Sequence, residues 1–299
     1  MKLQGKSSDY MAVPSVSVLM PFYDDGSKRT HGLFSDALSS VLSQDFSDFE
    51  VIIAASGQRG FVQKQEQRSR KIRVVFFEQK AVEPSKQRLS ERLEGIVKAR
   101  NLCLNSARGK YVAYADYDDI SLPNRLSVQF RYLEGHRETG AVGSTMILID
   151  GNGREVGKRG AFEDDGQIRR HLLQFNSMPQ PTVMARLPLL KKAGGYLTGE
   201  FAEDYDLWVR MAKVTKFHNL QFPLVKYRVH SGGGATRFKF DLYFSSLRVK
   251  MRASRLLGIR PGAKDVIVNI LQFISLFFPE SLRRTVLERM RGKLVIGKR

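Results

Sequence analysis

Short apolar runs alternate with helical patterns along the first 116 residues. Helical patterns occupy residues 33–42 and 93–107, and in the second of them Ile96, Ala99 and Cys103 share one face with Leu102. The apolar runs are VSVLMP (16–21), FEVIIAAS (49–56), IRVVFFE (72–78) and KYVAYAD (110–116). Runs of this length, bounded by Gly, Ser or Asp, are typical of strands buried on both faces of a sheet. The alternation predicts an α/β fold with a mostly parallel central sheet flanked by helices, in which ligands bind at the carboxyl ends of strands.

The pattern beyond residue 140 predicts a hairpin and then a helix with charge at its start. AVGSTMILID and REVGKRG flank the turn sequence GNG at 151–153. A helix is predicted to begin at Ala202, because Glu203 and Asp204 would lie in its first turn, where the helix dipole favours carboxylates. Its buried stripe would consist of Leu207, Trp208, Met211 and Ala212.

The last fifth of the chain has its own composition. Residues 237–299 contain 15 Lys or Arg and 4 Asp or Glu. Their net charge of +11 is more than half of the net charge of +19 of the whole chain. They include the apolar stretch 266–278, too short to span a bilayer, and SLRRTVLERMRGK, which interleaves apolar residues with arginines. Two interpretations stay open. The segment either rests on anionic lipid through a basic amphipathic surface, or caps the core with helices whose basic face is solvated.

Composition and charge exclude several classes of protein. A hydrophobic content of 42% excludes wholesale disorder, and the single cysteine, Cys103, excludes an intramolecular disulfide framework or a cysteine-based zinc site. The N-terminal sequence MKLQGKSSDYMAVPS has no apolar core of signal-peptide length, so we expect a cytoplasmic protein. The isoelectric point near 10.1 indicates an anionic partner, either nucleic acid or a membrane surface. The concentration of charge in the tail, and the lack of zinc-finger or RNA-recognition motifs, argue against nucleic acid.

Three aspartates follow the fourth apolar run directly, in the sequence YADYDD. Divalent cations such as Mg²⁺ take one or two protein carboxylates and complete their shell with water and substrate phosphates, so Asp116 and Asp118 suit such an ion. The alternative is a polar turn in which Ser121 or Asp119 caps the next helix.

Five segments in order resemble the family-2 glycosyltransferases. They are PSVSVLMPFYDDG, SSVLSQDFSDFEVII, GIVKARNLCLNSARGKYVAYADYDD, GGY followed by AEDYDLWVRMA, and YRVH. The resemblance covers residues 16–230 and implies a GT-A-like fold and inverting transfer of a hexose from a nucleoside-diphosphate sugar. We therefore expect a polar leader at 1–14, a GT-A-like catalytic domain at 15–236 and a basic, partly apolar helical extension at 237–299.

The resemblance implies a nucleotide site and an acceptor. Pro21, Phe22 and Tyr23 match the positions that pack the base and ribose, while Arg100 and Asn101 match an Arg-Asn pair on the helix before the Asp-x-Asp strand. Together with the basic tail, the family implies a glycan or lipid-linked acceptor. It also implies a peripheral location at the inner face of the plasma membrane.

The resemblance also implies a metal site and a catalytic base. Asp118 matches a direct ligand of Mn²⁺ or Mg²⁺, Asp116 would lie near the ribose or the metal, and His230 matches a histidine near the metal and diphosphate. Asp204 matches the base that takes the proton of the acceptor hydroxyl, with Glu203 supporting the acceptor or serving only as a favourable helix charge. A bound cation would neutralise the leaving diphosphate, and one base without a sugar–enzyme intermediate predicts inversion.

One segment departs from the family pattern. The second strand usually ends in an acidic run that reads the base, whereas this chain has Ala-Ala-Ser-Gly at 54–57. Three alternatives stay open: Asp24 or Asp25 substitutes for the missing acid, the base is held less specifically, or the donor is not a UDP-sugar.

The sequence leaves three alternatives to an active glycosyltransferase. A nucleic-acid-binding protein would account for the charge. A nucleotidyltransferase that makes sugar nucleotides would need a glycine-rich loop and lysine, which PFYDDGSKR matches poorly. An inactive relative would account for the lost acids at 54–57.

Overall fold

The computed structural model describes residues 13–79, 89–197, 201–229 and 238–279, together with 282–283, 286–287, 290 and 294–295. Within these ranges the chain forms ten strands and nine α-helices. The strands are β1 (Val16–Asp24), β2 (Phe49–Gly57), β3 (Ile72–Phe76), β4 (Tyr111–Tyr114), β5 (Ile120–Ser121), β6 (Thr139–Ile149), β7 (Glu155–Arg159), β8 (Met184–Arg186), β9 (Lys216–Arg228) and β10 (Leu294–Val295). The helices are α1 (Lys28–Leu42), α2 (Arg59–Glu66), α3 (Leu89–Ser106), α4 (Arg125–Gly135), α5 (Asp165–His171), α6 (Leu187–Lys192), α7 (Glu203–Ala212), α8 (Lys239–Leu257) and α9 (Ala263–Ser275).

All ten strands belong to one sheet with a parallel half and a mixed half. The order β3, β2, β1, β4 is parallel throughout, and β8 then joins β4 to β6 by antiparallel pairing. The predicted hairpin is the antiparallel pair β6–β7, while the long strand β9 runs parallel to β6. The longest ladders are parallel, which confirms the predicted α/β class with a mostly parallel sheet. The short strands β5 and β8 have no apolar run, and their antiparallel pairing was not predicted.

Alternate residues of the central strands enter two cores, one on each face of the sheet. In β2, Val51 and Ile53 pack with α1, α2 and α4, whereas Ile52 and Ala54 pack with α3 and α7. Because both faces are covered, the strands are apolar on both sides, as the sequence predicted. Cys103 of α3 lies in the second core, where its thiol contacts the Ile52 carbonyl, and burial raises the pKa of this thiol to about 12.

The predicted apolar face of α3 is only partly correct. Ala99 and Cys103 are buried, but Ile96 and Leu102 are half-buried, and Leu93, Val97 and Leu104 complete the buried set. The helix is packed on two sides, because β1 and β2 cover one side and the segment before α7 covers another. Two-sided packing gives Arg100 and Asn101 partners in the protein instead of leaving them in solvent.

The connection from β3 to β4 creates a crevice in the sheet. The chain runs outward from β1 to β2 and β3, and then α3 brings it back to the other side of β1. Strand order reverses between β1 and β4, and ligands of open α/β sheets bind at this kind of switch point. Residues 21–24 and Asp116 both lie at the carboxyl ends of these two strands.

The C-terminal helices extend this fold. Val249 and Ala253 of α8 join the core that also contains α7, and α9 packs beside α8. Across the described ranges, no helix combines the length and apolar character needed to cross a bilayer. His230 and the glycine-rich segment 231–236 lie outside the described residues.

Candidate active site

The aspartate turn after β4 is held by the end of β9. Arg228 donates its backbone N–H to Asp119 Oδ1 at 2.8 Å, and its Nε to the Asp118 carbonyl at 2.9 Å. The other oxygen of Asp119 is buried and lacks a hydrogen-bond partner in the described part of the chain. Neither Ser121 nor Asp119 caps α4, because the N-cap residue of that helix is Asn124. Asp119 therefore fixes the turn, which leaves Asp116 and Asp118 as its candidate ligand-binding carboxylates.

A buried arginine lies beneath the turn. Arg125 donates to the Tyr114 carbonyl at 2.6 Å and to Ser121 Oγ at 3.0 Å, and it is only 2% exposed. Burial lowers the pKa of Arg125 to about 10, while Asp119 and Asp116 act in the opposite direction. Its positive charge offsets part of the repulsion between the aspartates.

Arg100 of α3 reaches the N-terminus of α7. Its guanidinium forms an ion pair with Glu203 and lies 5.4 Å from the ring centroid of Tyr196. The neighbouring Asn101 exchanges two hydrogen bonds with the backbone of Tyr196, at 2.7 and 2.9 Å. The predicted Arg-Asn pair thus attaches α3 to the segment that leads into α7.

Asp204 lies in the first turn of α7 and is oriented by an amide. Asn176 Nδ2 donates to Asp204 Oδ2 at 2.9 Å, and the Tyr205 N–H donates to Asp204 Oδ1 at 2.7 Å. Asn176 is itself fixed, because its Oδ1 accepts from the Met178 N–H at 3.2 Å. The carboxylate therefore has a defined direction at the edge of the sheet.

A cavity of about 290 Å³ joins these elements. Asp116 comes from the end of β4, Arg100 from α3 and Asp204 from α7, so three sequence-predicted residues meet in one space. Asp118 and Glu203 do not line the cavity, although each is close in sequence to a residue that does, namely Asp116 and Asp204. The rest of the wall consists of Met146, Arg159, Gly160, Ala161, Phe162, Phe175, Asn176, Ser177, Pro179, Gln180, Pro181 and Tyr227.

The carboxylates of the site perturb one another. Burial raises the pKa of Asp116 to about 6, with Arg100 opposing and Asp118 and Asp204 adding to the rise. Burial likewise raises the pKa of Glu203 to about 7, although the Arg100 guanidinium acts against this. Both pKa values are raised chiefly because burial disfavours the charged form of each carboxyl, and the Arg100 guanidinium opposes this only in part.

The donor set fits a divalent cation whose shell the substrate completes. Among the described residues, no three His, Cys, Asp or Glu side chains are arranged to hold a metal. Asp116 and Asp118 remain, and two carboxylates plus phosphates and water are the usual surroundings of Mg²⁺ at a phosphate site. His230, the third predicted ligand, lies outside the described residues.

The end of β1 forms a second, aromatic cluster. Phe22 is buried with its ring 4.2 Å from Phe34 and 5.6 Å from Tyr117, while Tyr23 is exposed. Asp24 is buried, and its Oδ1 contacts the Gly26 N–H and His31 Nε2 at 2.8 and 2.7 Å. Pro21 is half-buried at the same strand end. These residues do not line the 290 Å³ cavity, but Tyr117 connects them to the aspartate turn.

Several residues that build the site were not predicted from the sequence. Arg228 belongs to the YRVH segment, which was noted only for its histidine. Arg125 and Asn176 lie in no motif, and each has a role only because the fold brings distant segments together.

Solved structures identify the class of fold. The chain is similar to S. aureus TarS in complex with UDP, with 17% identity and a TM-score of 0.56 over 93% of this chain and 87% of that chain. It is also similar to the mannosyltransferase PcManGT from Pyrobaculum calidifontis in complex with GDP-Man and Mn²⁺, with 13% identity and a TM-score of 0.51 over 94% and 85% of the two chains. At these identities the likeness shows the fold, and it confirms the predicted fold class.

Sequence comparison then identifies the family. The model of the family described as Glycosyl transferase family 2 matches residues 17–185. The O-antigen biosynthesis glycosyltransferase WbnJ of Escherichia coli is 30% identical over 203 residues, which are 65% of this chain and 74% of WbnJ. The chain belongs to glycosyl transferase family 2 and is a glycosyltransferase. The predicted family is confirmed, and the nucleic-acid-binding and nucleotidyltransferase alternatives are set aside.

Proposed function

We propose that residues 15–236 catalyse metal-dependent, inverting transfer of a hexose from a nucleoside-diphosphate sugar to an acceptor hydroxyl. One observation carries the proposal: Asp116, from a strand end, and Asp204, from a helix start, line the same cavity. The first belongs to a carboxylate pair suited to a cation, and the second is a directed carboxylate suited to a base. A cavity of about 290 Å³ is near the lower end of the range for small-molecule sites.

The donor is proposed to bind between the aromatic cluster and the aspartate turn. Asp116 and Asp118 would hold Mn²⁺ or Mg²⁺, which supplies Lewis-acid neutralisation of the diphosphate that leaves. Pro21 and the exposed Tyr23 would pack the base and ribose, supported from below by the buried Phe22, with Asp24 at the base edge. The fold neighbours support this class of donor, because one was solved with UDP and another with GDP-Man and Mn²⁺.

Asp204 is proposed to be the catalytic base. Asn176 orients the carboxylate, so it can accept the proton of an acceptor hydroxyl held in the cavity. Attack by that hydroxyl on the side opposite the diphosphate gives inversion. Glu203 is paired with Arg100, and we assign it to positioning this arginine and the acceptor, while His230 would act near the diphosphate.

The acceptor is proposed to be a surface glycan or its lipid-linked precursor at the inner face of the plasma membrane. The O-antigen biosynthesis relative supports a polysaccharide acceptor, and the charge of residues 237–299 supports contact with an anionic membrane.

The central test is Asp204→Asn. Transfer should fall by at least about 100-fold, since a positioned base contributes roughly 10²–10⁴ to the rate. Donor binding should survive, and it is measured as the rise in melting temperature with UDP-, GDP-, CMP- or dTDP-sugars and Mn²⁺ or Mg²⁺. Asp118→Asn should instead abolish the metal-dependent part of that rise.

Asp36→Asn is the matched control, because Asp36 is an exposed carboxylate of α1. It should retain both transfer and donor binding. Near-normal turnover of Asp204→Asn would show that another group is the base.

A further inference from the structure

Helix α9 is oriented with its polar side toward the protein. Its buried positions include Asp265, Gln272 and Ser275, whereas Ile270, Ile274 and Phe277 along the outer side are 44 to 67% exposed. A surface helix of a soluble domain normally has the opposite arrangement. An apolar stripe that faces away from the protein calls for an external partner.

A polar network fixes this orientation. The Asp265 carboxylate accepts from Arg170 Nη2 at 2.7 Å, Gln174 Nε2 at 2.6 Å and the Gly262 N–H at 2.8 Å. Lys250 of α8 donates to Asn269 Oδ1 at 2.7 Å and to Gln272 Oε1 at 2.6 Å. Turning the apolar stripe inward would leave these buried groups without partners, and each would then remain desolvated with no hydrogen bond in return.

Helix α8 extends the exposed surface. Its Phe240 and Phe244 are 40 and 48% exposed, with ring centroids 5.9 Å from Phe277 and 6.4 Å from Phe273 respectively. Together with Ile270 and Ile274 these four rings form one surface, which we call the α8–α9 apolar face. Arg248 and Arg255 continue the exposed line of α8 beyond Phe244, so basic groups border the face.

The charge of the C-terminal segment favours an anionic bilayer over a second copy of this chain as the occupant of the face. The segment 237–299 carries 15 Lys or Arg against 4 Asp or Glu, so a second copy of this chain would bring two strongly positive surfaces together. A bilayer with anionic lipid accepts both the apolar side chains and the bordering arginines. Helix α9 has 13 residues, whereas a helix needs about 20 residues to cross the hydrocarbon core.

We propose that the α8–α9 apolar face inserts into the interfacial region of an anionic membrane, with α9 lying along the surface. The role of this contact rests on the proposed function, because membrane binding would give a glycosyltransferase direct access to a lipid-linked acceptor. The contact itself is inferred from the geometry of α8 and α9.

Contacts of α8 and α9 connect the α8–α9 apolar face with the proposed catalytic base, Asp204. Gln174, which binds Asp265 and Gln272, lies two residues before Asn176, which orients Asp204. Arg252 of α8 forms an ion pair with Asp206 of α7. A lipid-linked acceptor would therefore reach the site from the side that carries Asp204.

The test is vesicle binding by the full chain. Phosphatidylcholine vesicles with and without about 30 mol% phosphatidylglycerol are floated with the wild type, with an Ile270→Ser/Phe277→Ser variant and with Phe222→Ser. Phe222 is 46% exposed but lies on β9, away from the face, so this variant is the matched control. The wild type and the control should bind the anionic vesicles, and the double variant should bind at least about tenfold more weakly. All three should keep the same melting temperature.

Two outcomes would overturn the inference. One is equal vesicle binding by the double variant and the wild type. The other is a wild-type dimer, measured by light scattering, that the double variant loses while neither form binds vesicles. Asp204→Asn should bind vesicles like the wild type, so failure of the membrane proposal and failure of the catalytic proposal give separate results.

Discussion

Helices α7 and α9 are of similar length and both are amphipathic, yet they face opposite ways. In α7, Leu207, Trp208 and Met211 are fully buried, and the Trp208 ring lies 5.9 Å from Tyr114 of β4. In α9, Asp265 and Gln272 occupy the buried side. Amphipathic periodicity therefore predicts where a helix lies in the sequence and which residues form its apolar stripe. Whether that stripe faces the core or the surface depends on the hydrogen-bond and ion-pair partners of the polar side. The difference marks α7 as part of the core and α9 as a surface helix whose apolar stripe is exposed.

The largest expected effect is on the core helix. Trp208→Ala should reduce the free energy of unfolding by about 3–5 kcal/mol, because it removes a fully buried aromatic side chain and leaves a cavity. Phe277→Ala also removes an aromatic ring, but Phe277 is 67% exposed in the C-terminal region. This substitution should therefore reduce the free energy of unfolding much less. Urea unfolding of both variants measures the contrast. Equal losses would mean that Phe277 is buried in the folded protein.

An intermediate effect is expected from the polar anchor of α9. Asp265→Asn should reduce the free energy of unfolding by about 1–3 kcal/mol, because the charged acceptor of three hydrogen bonds is lost. Burial acts to raise the pKa of Asp265, but hydrogen bonds from Arg170, Gln174 and Gly262 dominate and lower it from its ordinary value of 3.8.

The sign of the pH dependence follows from that direction. A lowered pKa in the folded state means that the stabilisation is complete above the unfolded value and is lost as pH falls through the folded value. The difference between wild type and Asp265→Asn should therefore be full above about pH 5 and shrink at lower pH. A difference that stayed constant down to pH 3 would show that the carboxylate charge is not what holds α9.

The smallest effect is expected on the outer side of α9. Ile267→Ser should change the free energy of unfolding by no more than about 0.5 kcal/mol, since the side chain is 55% exposed. The same substitution should raise solubility by reducing exposed apolar surface. Thermal unfolding and a precipitation assay measure the two quantities, and a large loss of stability would indicate intramolecular packing over Ile267.

The sequence predicted the parallel half of the fold because burial on both faces produces continuous apolar runs. β1 to β4 correspond to the four runs, and the family resemblance placed Asp116 and Asp204 in one site. Chain-local patterns cannot reveal contacts between distant segments, such as Arg170 with Asp265 or Asn176 with Asp204. They also miss β5 and β8, which have only two and three residues and pair because their neighbours position them. The orientation of α9 depends on those distant contacts and was left open for the same reason.

The single, buried Cys103 has a practical consequence. Its thiol lies in the core and has a pKa of about 12, so reagents that attack thiolates at neutral pH leave it unmodified in the folded protein. The folded wild-type protein should therefore not react with thiol-directed probes. A fluorophore or spin label introduced through Phe277→Cys or Phe222→Cys would report from one known point, and its depth in a bilayer could be measured without removing any native residue from the core.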